Sequence, residues 1–474
     1  MRGTEVVTAF PGLIDLTPAT SRVLDAITTA GGHPYLVGGC VRDAVMDPGR
    51  IPKDVDIEVF GLDIDHLAGA LGTVGCVDEV GRAFSVLKIR VAGEDFDVSL
   101  PRRDSKTGAG HTGFDVVADP DCTLAEAAAR RDFTLNALMY DPSREEIVDC
   151  WGGLADLRAE VLRHTTDAFA DDPLRVLRGV QFSARFGFAM HPETAALCRS
   201  LAGSYAELST ERVWTEWHKI AAKGTHLSAA LATLEQTGWE RHFPQIGALH
   251  GVEQDPAWHP EGDVPTHSGL AADKAGELAT AAGLTGDDRA VVVFAALAHD
   301  FGKVTHTQHS PGPDGTARIT SRGHDGAGVA PAKAFLASIG TPRSIRDRVL
   351  PLIRENMCAS SAENVSKPGV RRLARRLAPA TMAEWALVTA ADKGGRGAGS
   401  TGPGTERWMR LAQDLGTTQA PSSGILRGEH LIAAGMKPGP AFRPIMDASI
   451  TAQDDGEFED EAGAIRWLSA RLGT

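Results

Sequence analysis

The sequence predicts an α+β protein with its strands near the N-terminus and helices through the rest of the chain. β-type runs occur at Tyr35–Val37, Gly81–Arg90 and Asp95–Leu100, and the last two are expected to pair. From about residue 226 onwards, alanine-rich segments typical of packed helices follow one another. The chain of 474 residues is too long for one hydrophobic core, so we expect three or four domains.

Composition and charge narrow the class of protein. The formal net charge of -14 argues against indiscriminate nucleic-acid binding, although a specific RNA can dock on a local basic surface. Six cysteines are scattered without CxxC pairs, which indicates reduced thiols rather than a disulfide framework or a zinc site. No apolar run approaches the length of a membrane span, and no signal pattern opens the chain, so we expect a cytoplasmic protein without a membrane partner.

The segment Tyr35–Phe60 contains the first candidate site. Its β-type run breaks at Gly38 and Gly39 and continues into a helix-compatible segment with Arg42. Glycine lets the backbone approach a phosphate closely, with amides that can point at it. A planar guanidinium adds further donors for phosphate oxygens. These residues therefore predict a phosphate site.

The same segment ends in an alternating run, Lys53–Ile57, which predicts a strand. Period-two alternation puts Asp54 and Asp56 on one face, while the β-branched residues face the core. Two carboxylates on one face repel each other unless a cation lies between them, and Mg²⁺ is the hard cation that prefers oxygen ligands. Alone, a Gly-Gly or an Asp-x-Asp is usually structural, but together at this spacing they predict nucleotidyl transfer.

The string GG-x-V-R-D followed by K-D-x-D-I closely resembles motif A of class II tRNA nucleotidyltransferases and bacterial poly(A) polymerases, which belong to the polymerase-β-like superfamily. The resemblance implies that Asp54 and Asp56 hold the catalytic Mg²⁺ ions. It also implies that the turn glycines and Arg42 contact the nucleoside triphosphate. Asp97, on a later strand, is either a third acidic group at the metals or a surface charge.

A second string, RRDFTLNA at residues 130–137, resembles motif B of the same family and is expected to open a helix. The resemblance implies that Arg131 binds the nucleotide phosphates or sugar and that Asp132 orients the nucleotide. Asn136 would brace the ribose region. The glycine- and charge-rich stretch Arg102–Phe114 is expected to lack fixed structure and to be a mobile part of the site, or simply a flexible hairpin loop.

Asp172, Arg175 and Arg178 recur every three residues on a helix that Pro173 is expected to begin. A salt-bridged surface ladder is one interpretation. Base chemistry offers another, because cytosine and adenine both show an amino donor beside a ring-nitrogen acceptor, which a carboxylate and a guanidinium complement. Guanine and uracil present a carbonyl beside an N–H instead. The stretch resembles the family's ED-x-x-R motif, which implies selection of CTP and ATP, although Gln181 replaces an arginine of many relatives.

A second candidate centre lies in the alanine-rich region. His299 and Asp300 end an apolar run, and with the distant His267 and Asp392 they have the layout of an HD-domain metal site. A buried charged pair at the end of an apolar helix needs compensation, which a divalent metal supplies. His324 is a candidate further ligand or substrate contact. The alternative is that the carboxylate caps a turn and the histidines lie on the surface.

This region resembles the HD domain fused to some bacterial CCA-adding enzymes, where it hydrolyses phosphoesters. The resemblance implies a second divalent metal, which could be Ni²⁺, Mn²⁺ or Mg²⁺. The stretch Trp258–Asp263, WHPEGD, also looks like that subgroup. Relatives usually carry another histidine near Glu355–Cys358, but the run here is ENMC. We therefore expect a single-metal or weakened phosphohydrolase rather than a two-metal one.

The full prediction is a polymerase-β-like head, a small mixed sheet with helices, followed by an all-α neck, an HD-type body and a tail. The expected boundaries are 1–140 for the nucleotidyltransferase head, 141–225 for the neck with nucleotide-base recognition, 226–415 for the body and 416–474 for the tail. The helix with Arg371, Arg372, Arg375 and Arg376 suits either a phosphate backbone or an ion-paired surface.

The predicted reaction is template-independent addition of CMP and AMP from CTP and ATP to tRNA 3′ ends. An A-adding, CC-adding or poly(A)-adding relative is the nearest alternative. Another class is an HD phosphohydrolase whose head is a non-catalytic RNA-binding module. The oligomeric state stays open.

Overall fold

The computed structural model describes residues 4–49, 54–78, 85–106, 114–119, 122–311, 317–359, 365–397 and 404–473. Lys53, residues 81–84 of the predicted strand and residues 107–113 of the predicted loop lie outside these ranges. The chain divides into two compact units. The first comprises Met1–Ser183, Gly187–Arg212 and Thr233–Trp239, and the second comprises Ala184–Phe186, Val213–Ala232 and Glu240–Thr474.

A mixed sheet forms the centre of the first unit. Within the described residues its strand order is β1-β10-β9-β2-β3-β6-β5-β4, and all neighbours are antiparallel except β3 and β6. The predicted mixed sheet is therefore confirmed. The strands of this unit are β1 Val6–Ala9, β2 His33–Val37, β3 Val55–Phe60, β4 Cys76–Asp78, β5 Val86–Val91, β6 Glu94–Ser99, β7 Arg102–Lys106, β8 Phe114–Ala118, β9 Met139–Asp141, β10 Glu146–Asp149, β11 Val161–Leu162 and β12 Ala189–Met190.

The stretch Arg102–Phe114 is only partly as expected. Strands β7 and β8 pair as an antiparallel ribbon from Arg102 opposite Ala118 to Lys106 opposite Phe114. The prediction of no fixed structure is therefore wrong for residues 102–106, because backbone pairing orders them despite their charge. The hairpin interpretation is the one that the pairing supports.

Helices accompany the sheet and continue through the neck region. Thr17 caps the first of them, its hydroxyl oxygen accepting a hydrogen bond from the backbone N–H of Thr20 at 3.0 Å. The helices up to residue 236 are α1 Pro18–Thr29, α2 Gly39–Met46, α3 Ile64–Gly72, α4 Leu124–Ala129, α5 Gly153–Arg158, α6 Leu174–Phe186, α7 Pro192–Ser200, α8 Thr210–Lys223 and α9 Leu227–Gln236. Short 3-10 turns cover Thr134–Asn136, Asp167–Asp171, Ala202–Glu207 and Trp239–His242.

Among the described residues after 242, the regular elements are helices and one β-hairpin. These elements are α10 Pro244–Gly247, α11 Val264–Ala281, α12 Gly286–Ala298, α13 Lys303–His306, β13 Gln308–Pro311, β14 Ala317–Thr320, α14 His324–Ser338, α15 Arg343–Arg354, α16 Lys367–Leu377, α17 Met382–Gly395, α18 Glu406–Asp414, α19 Gly428–Ala433, α20 Phe442–Asp455 and α21 Glu461–Leu472. In the part of the chain that the structure describes, no helix is long and apolar enough to cross a membrane.

Helix α12 is the centre of the second unit. Every residue from Arg289 to Ala298 is buried, and α11, α15 and α17 pack against this helix. A helix that is apolar all round must be enclosed on every side. This explains the continuous run VVVFAALA, which shows no helical periodicity. The buried helix ends at Ala298 and His299 is its C-cap, so two of the predicted HD residues follow directly and are themselves buried.

The four arginines of helix α16 form ion pairs with carboxylates of the second unit. Arg375 donates two hydrogen bonds to the buried Asp454, at 2.6 and 2.8 Å. The other three arginines also pair with carboxylates: Arg371 with Glu459, Arg372 with Asp455 and Arg376 with Glu355. Of the two interpretations of this cluster, the structure supports the ion-paired surface.

We expect Arg375→Ala to lower the free energy of unfolding by about 1–3 kcal/mol, because it leaves the carboxylate of Asp454 buried without its partner. The matched control is Arg372→Ala, whose partner Asp455 is 36% exposed. Exposed pairs contribute at most about 1 kcal/mol. Urea denaturation of both variants measures the difference, and equal losses would contradict the assignment.

Candidate functional site

The turn between β2 and α2 brings a helix N-terminus to the acidic strand β3. Val37, the last residue of β2, pairs with Asp56 of β3. Gly38 follows with φ 73° and ψ -132°, a backbone conformation that side-chain-bearing residues rarely adopt. A Cβ built on Gly38 would lie 3.5 Å from Oδ2 of Asp56. The predicted glycine turn and the predicted carboxylate are therefore immediate neighbours.

The carboxylates are arranged as the alternation predicts. Asp54 precedes β3, Asp56 lies on its solvent face, and Ile57 is fully buried. The parallel register of β3 and β6 places Asp97 directly opposite Asp56, and Lys88 lies 3.1 Å from Asp97. A third carboxylate therefore does lie at this position, although whether it takes part in metal binding stays a prediction.

The charge balance of this cluster fits a cation. Desolvation raises the pKa of Asp56 above its ordinary value against the opposing charge of Arg131, and Asp97 and Asp54 add to the rise. Neighbouring carboxylates that resist ionisation are the donor set that a divalent cation stabilises. These residues therefore suit Mg²⁺ by their chemistry.

A buried carboxylate anchors the two arginines of the RRD string. Glu58 is completely buried and accepts hydrogen bonds from Arg130 at 2.6 Å and from Arg131 at 3.0 Å. Burial opposes ionisation, but the two guanidinium groups outweigh it and lower the pKa of Glu58. Both arginines line a cavity of about 240 Å³ that also contains Asp56 and Asp97. The cavity thus has guanidinium groups and carboxylates facing one another.

Four of the predicted nucleotide-binding residues form one hydrogen-bonded chain. Arg42 donates to the amide oxygen of Asn136 at 2.5 Å, and the amide nitrogen of Asn136 donates to Asp132 at 2.8 Å. Arg178 donates to the other oxygen of Asp132 at 2.7 Å. The guanidinium carbons of Arg42 and Arg178 lie 5.3 and 5.4 Å from the centre of the Phe182 ring. These distances are typical of cation–π contacts.

This network explains the lowered pKa of Asp132 and the burial of Arg42. Burial disfavours the charged form of Asp132, but Arg178 and the donors from Asn136 and Phe133 lower its pKa below the ordinary value. Arg42 is only 3% exposed and also donates to Asp43 at 2.6 and 2.8 Å. Its contact with a triphosphate stays a prediction, whereas its bracing of Asn136 is observed.

The prediction that RRDFTLNA opens a helix is wrong. Helix α4 ends at Ala129, before the string, and only Thr134–Asn136 forms a 3-10 turn. The backbone bonds elsewhere: Thr134 N–H donates to the carbonyl of Arg163, and Thr165 N–H donates to that of Asp132. This pairing interrupts the helix at the string and leaves the side chains of Asp132 and Asn136 in the network.

The predicted base-reading residues lie at the start of α6. Asp172 accepts a hydrogen bond from the backbone of Leu174 at 3.1 Å and one from Arg212 at 2.7 Å. Arg175 donates to the carbonyl oxygens of Ala168 at 2.7 Å and Arg130 at 2.6 Å. Burial lowers the pKa of Arg175 below its ordinary value. Both groups are therefore held in place by the protein, and the arginine is anchored on the RRD string.

The second predicted centre is fully assembled. His267, in the first turn of α11, has its Nε2 atom 3.3 Å from Nε2 of His299 and 3.1 Å from Asp392. Asp300 lies 3.3 Å from Nε2 of His299. All four residues are buried. The alternative of surface histidines is wrong, because α11, α12 and α17 enclose the group.

The hydrogen bonds on the other side of the rings decide which nitrogens are free. A carbonyl oxygen only accepts, so Nδ1 of His299, 2.6 Å from the carbonyl of Ala296, must carry the hydrogen. Nδ1 of His267 lies 2.6 Å from a carboxylate oxygen of Glu261. The Nε2 atoms of both rings face each other, and Nε2 of His267 also faces Asp392. This is the donor arrangement of a metal-binding histidine pair.

Asp300 also suits a cation. Neither of its oxygens accepts a well-aligned hydrogen bond among the described residues, although the Lys303 ammonium lies 2.7 Å from Oδ2. His324, whose Nδ1 lies 2.5 Å from the carbonyl of Ser321, directs Nε2 to within 3.3 Å of Oδ1. The metal-binding interpretation therefore fits the residues present, and His324 lies in contact with the group.

The ENMC run adds an amide to the HD centre. Asn356 is 3% exposed and donates to Oδ2 of Asp392 at 3.2 Å. Arg396 donates to the other oxygen at 2.8 Å. Asp392 is thus held from two sides by neutral and cationic donors.

Several site residues were missed from sequence: Glu58, Phe182, Glu261, Lys303 and Asn356. Two of them carry a recognisable signal. Glu58 continues the alternation of Asp54 and Asp56, and Phe182 lies four residues after Arg178 on one helix face. The others depend on contacts between distant segments.

The chain matches three family models. The model described as "Poly A polymerase head domain" matches residues 34–163, "Probable RNA and SrmB- binding site of polymerase A" matches 187–249, and "HD domain" matches 264–393. Among solved structures, the Bacillus stearothermophilus CCA-adding enzyme in complex with CTP covers 96% of this chain and 98% of its own, with TM-score 0.64 and 21% identity. The Thermotoga maritima CCA-adding enzyme complexed with tRNA covers 98% and 99%, with TM-score 0.59 and 17% identity. These likenesses show a shared fold.

Sequence relatives are closer. The "Multifunctional CCA protein" of Xanthomonas campestris pv. campestris strain B100 is 39% identical over 372 residues, which are 76% of this chain and 85% of that protein. The protein of the same name from Xylella fastidiosa strain 9a5c is 37% identical over 372 residues, with 76% and 84% covered. At this identity and coverage, the chain belongs to the multifunctional CCA protein family.

Proposed function

We propose that this chain adds nucleotides to the 3′ end of tRNA without a template. CMP from CTP and AMP from ATP would complete or repair the CCA end. The observation that carries the proposal is the carboxylate Asp56, which lies beside the Gly38 turn and the arginines held by Glu58. Relatives named CCA protein and fold neighbours bound to CTP or tRNA support it.

The chain's residues would act mainly by positioning. Asp54 and Asp56 would hold Mg²⁺, which when bound supplies Lewis-acid stabilisation to the attacking hydroxyl and the departing pyrophosphate. We assign the triphosphate to Arg131 and to the backbone of Gly38 and Gly39. Phosphoryl transfer leaves little covalent chemistry to side chains, so orientation and charge are their main contribution.

Base choice is assigned to Asp172 and Arg175. The carboxylate accepts from the amino group of cytosine or adenine, and the guanidinium donates to the ring nitrogen beside it. Guanine and uracil present a carbonyl oxygen and an N–H in these positions. The carbonyl would then face the carboxylate and the N–H would face the guanidinium, so neither hydrogen bond forms. Arg212 would hold the carboxylate in orientation, and Asp132 with Asn136 would orient the sugar.

The decisive experiment is extension of three tRNA substrates that end before CCA, after C and after CC. Each is incubated with Mg²⁺ and labelled CTP, ATP, UTP or GTP, alone and mixed. We expect ordered addition that stops at CCA. Addition of only C or only the last A would indicate a CC-adding or A-adding enzyme, and long A tails a poly(A) polymerase.

Asp56→Asn should slow extension at least about a hundredfold in the same assay, because a proposed metal ligand loses its charge. The control is Asp25→Asn, at an exposed position of α1, which should not slow extension.

The base-reading assignment makes a separate prediction. Asp172→Ala should reduce discrimination of CTP and ATP against UTP and GTP by about 10- to 100-fold, because one base-reading acceptor is lost. Single-nucleotide incorporation rates for all four triphosphates measure this. The control is Asp167→Ala, an exposed carboxylate in the same 3-10 turn. Unchanged discrimination in Asp172→Ala would refute the assignment.

We propose a second activity, hydrolysis of phosphoesters, at the HD centre. The supporting observation is the convergence of two imidazole lone pairs on Asp300 and Asp392. His267, His299 and the two aspartates would hold one divalent metal, either Ni²⁺, Mn²⁺ or Mg²⁺, whose chemistry is activation of water. His324 would contact the metal or the phosphoester. Asn356 in place of a histidine supports a one-metal site over a two-metal site.

Asp300→Ala should lower metal-dependent hydrolysis of bis(p-nitrophenyl) phosphate by at least about a hundredfold, because the metal loses a charged ligand. The control is Asp347→Ala, on the exposed face of α15. Extension of tRNA by the same preparations reports whether the chain is folded. Equal hydrolysis by both variants would make the centre structural. Hydrolysis without tRNA extension in the wild type would favour the phosphohydrolase with a non-catalytic head.

The remaining assignments follow from the proposed reaction. A tRNA substrate and six free cysteines support a cytoplasmic location. The four-part division at residues 140, 225 and 415 is retained as a proposal.

A further inference from the structure

The segment Trp258–Asp263 precedes α11 and has no role in either proposed reaction. Its last residue begins the helix: the Asp263 carboxylate accepts hydrogen bonds from the backbone and hydroxyl of Thr266, at 3.2 and 2.6 Å. The N–H of His267 donates to the carbonyl of Asp263 at 3.0 Å. The segment therefore fixes the backbone from which His267 enters the HD centre.

Glu261 of this segment controls the far side of the His267 ring. One oxygen, Oε1, lies 2.6 Å from Nδ1 of His267 and 2.9 Å from Nδ1 of His259. The Glu261 side chain is 6% exposed. On the opposite side of the ring, Nε2 faces His299 and Asp392. A single buried carboxylate thus holds the ring that joins the segment to the metal-binding residues.

We propose that Glu261 is a positioning residue of the HD metal centre. Its carboxylate oxygen lies 2.6 Å from Nδ1, so its negative charge favours the tautomer with the hydrogen on that nitrogen and directs Nε2 of His267 at the metal position. Carboxylates that accept from the far nitrogen of a histidine ligand raise its basicity and fix its tautomer. The inference rests on the proposed metal-dependent function of the HD centre.

A second metal held directly by His259, Glu261 and His267 is the competing explanation. Ligand atoms at about 2.0–2.2 Å from a tetrahedral metal lie roughly 3.3–3.5 Å apart. The observed 2.6 Å between Glu261 and His267 is shorter than this, so the two atoms are too close together to be ligands of one such metal. The geometry therefore favours orientation of a ligand over a separate metal site.

The orientation of the His267 ring is set by a contact outside its own helix, unlike that of the other two imidazoles. His299 and His324 direct Nδ1 to carbonyls only three residues away, Ala296 and Ser321, so local backbone orients both rings. His267 receives its acceptor from the preceding segment. The His259 ring packs edge-on against it, with centres 4.8 Å apart, and shares the same oxygen.

The test is Co²⁺ binding to the full-length protein, followed by visible absorption, with Mg²⁺ in excess to occupy carboxylate-only sites. Glu261→Gln keeps the shape and an acceptor but loses the charge, so we expect about 10- to 100-fold weaker Co²⁺ binding. Glu261→Ala also loses the acceptor and should bind more weakly still, with shifted absorption bands. The matched control is Glu277→Gln, an exposed carboxylate on α11, which should bind Co²⁺ like the wild type.

Unfolding midpoints of the metal-free proteins separate orientation from folding, and the isosteric Glu261→Gln carries the test if Glu261→Ala is unstable. Wild-type affinity and absorption in Glu261→Gln would overturn the inference and leave the hydrolase proposal standing. Absence of Co²⁺ binding by the wild type would overturn both.

Discussion

The first unit depends on one hydrogen-bonded chain that runs from Arg42 through Asn136 and Asp132 to Arg178. Its members come from α2, the RRD string and α6, which are far apart in sequence. Each buried charged group in the chain is compensated by its hydrogen-bonded neighbour. Removal of one partner would therefore leave a desolvated ion without a counter-charge. Phe182 closes the chain by packing against both guanidinium groups. The start of α2 after the Gly38 turn, the RRD string and helix α6 are thereby held together.

Several other arginines also have their partners within the protein. Arg130 and Arg131 are anchored on the buried Glu58, Arg175 donates to backbone carbonyls, and the arginines of α16 pair with acids. Arginine in this chain is therefore used for internal structure as much as for a charged surface. This is consistent with the net charge of -14. Arg130 and Arg131 are the guanidinium groups that the buried Glu58 holds at the cavity with Asp56 and Asp97.

In the HD centre, several imidazole rings direct their Nε2 atoms towards one group of carboxylates. Two rings take their orientation from carbonyls on the same turn, and His267 takes it from Glu261. The carboxylates at the centre are balanced by Lys303 and Arg396 as well as by the position that a metal would take. Burial disfavours their charge, yet the neighbouring histidines, together with Lys303 and Arg396, keep the pKa values of Asp300 and Asp392 well below the usual range.

The sequence by itself determined the fold class, the acidic strand and which four residues meet in the HD centre. Period-two alternation placed Ile57 in the core and Asp56 outside, because this pattern reflects local geometry. The resemblance to HD domains named His267, His299, Asp300 and Asp392, and the structure brings these four residues together. Only the tertiary structure decided that Asp97 lies opposite Asp56, that the RRD string forms a 3-10 turn rather than the start of a helix, and that the arginines of α16 are ion-paired. The partner of a charged side chain depends on which distant segment packs beside it, and no local periodicity records that.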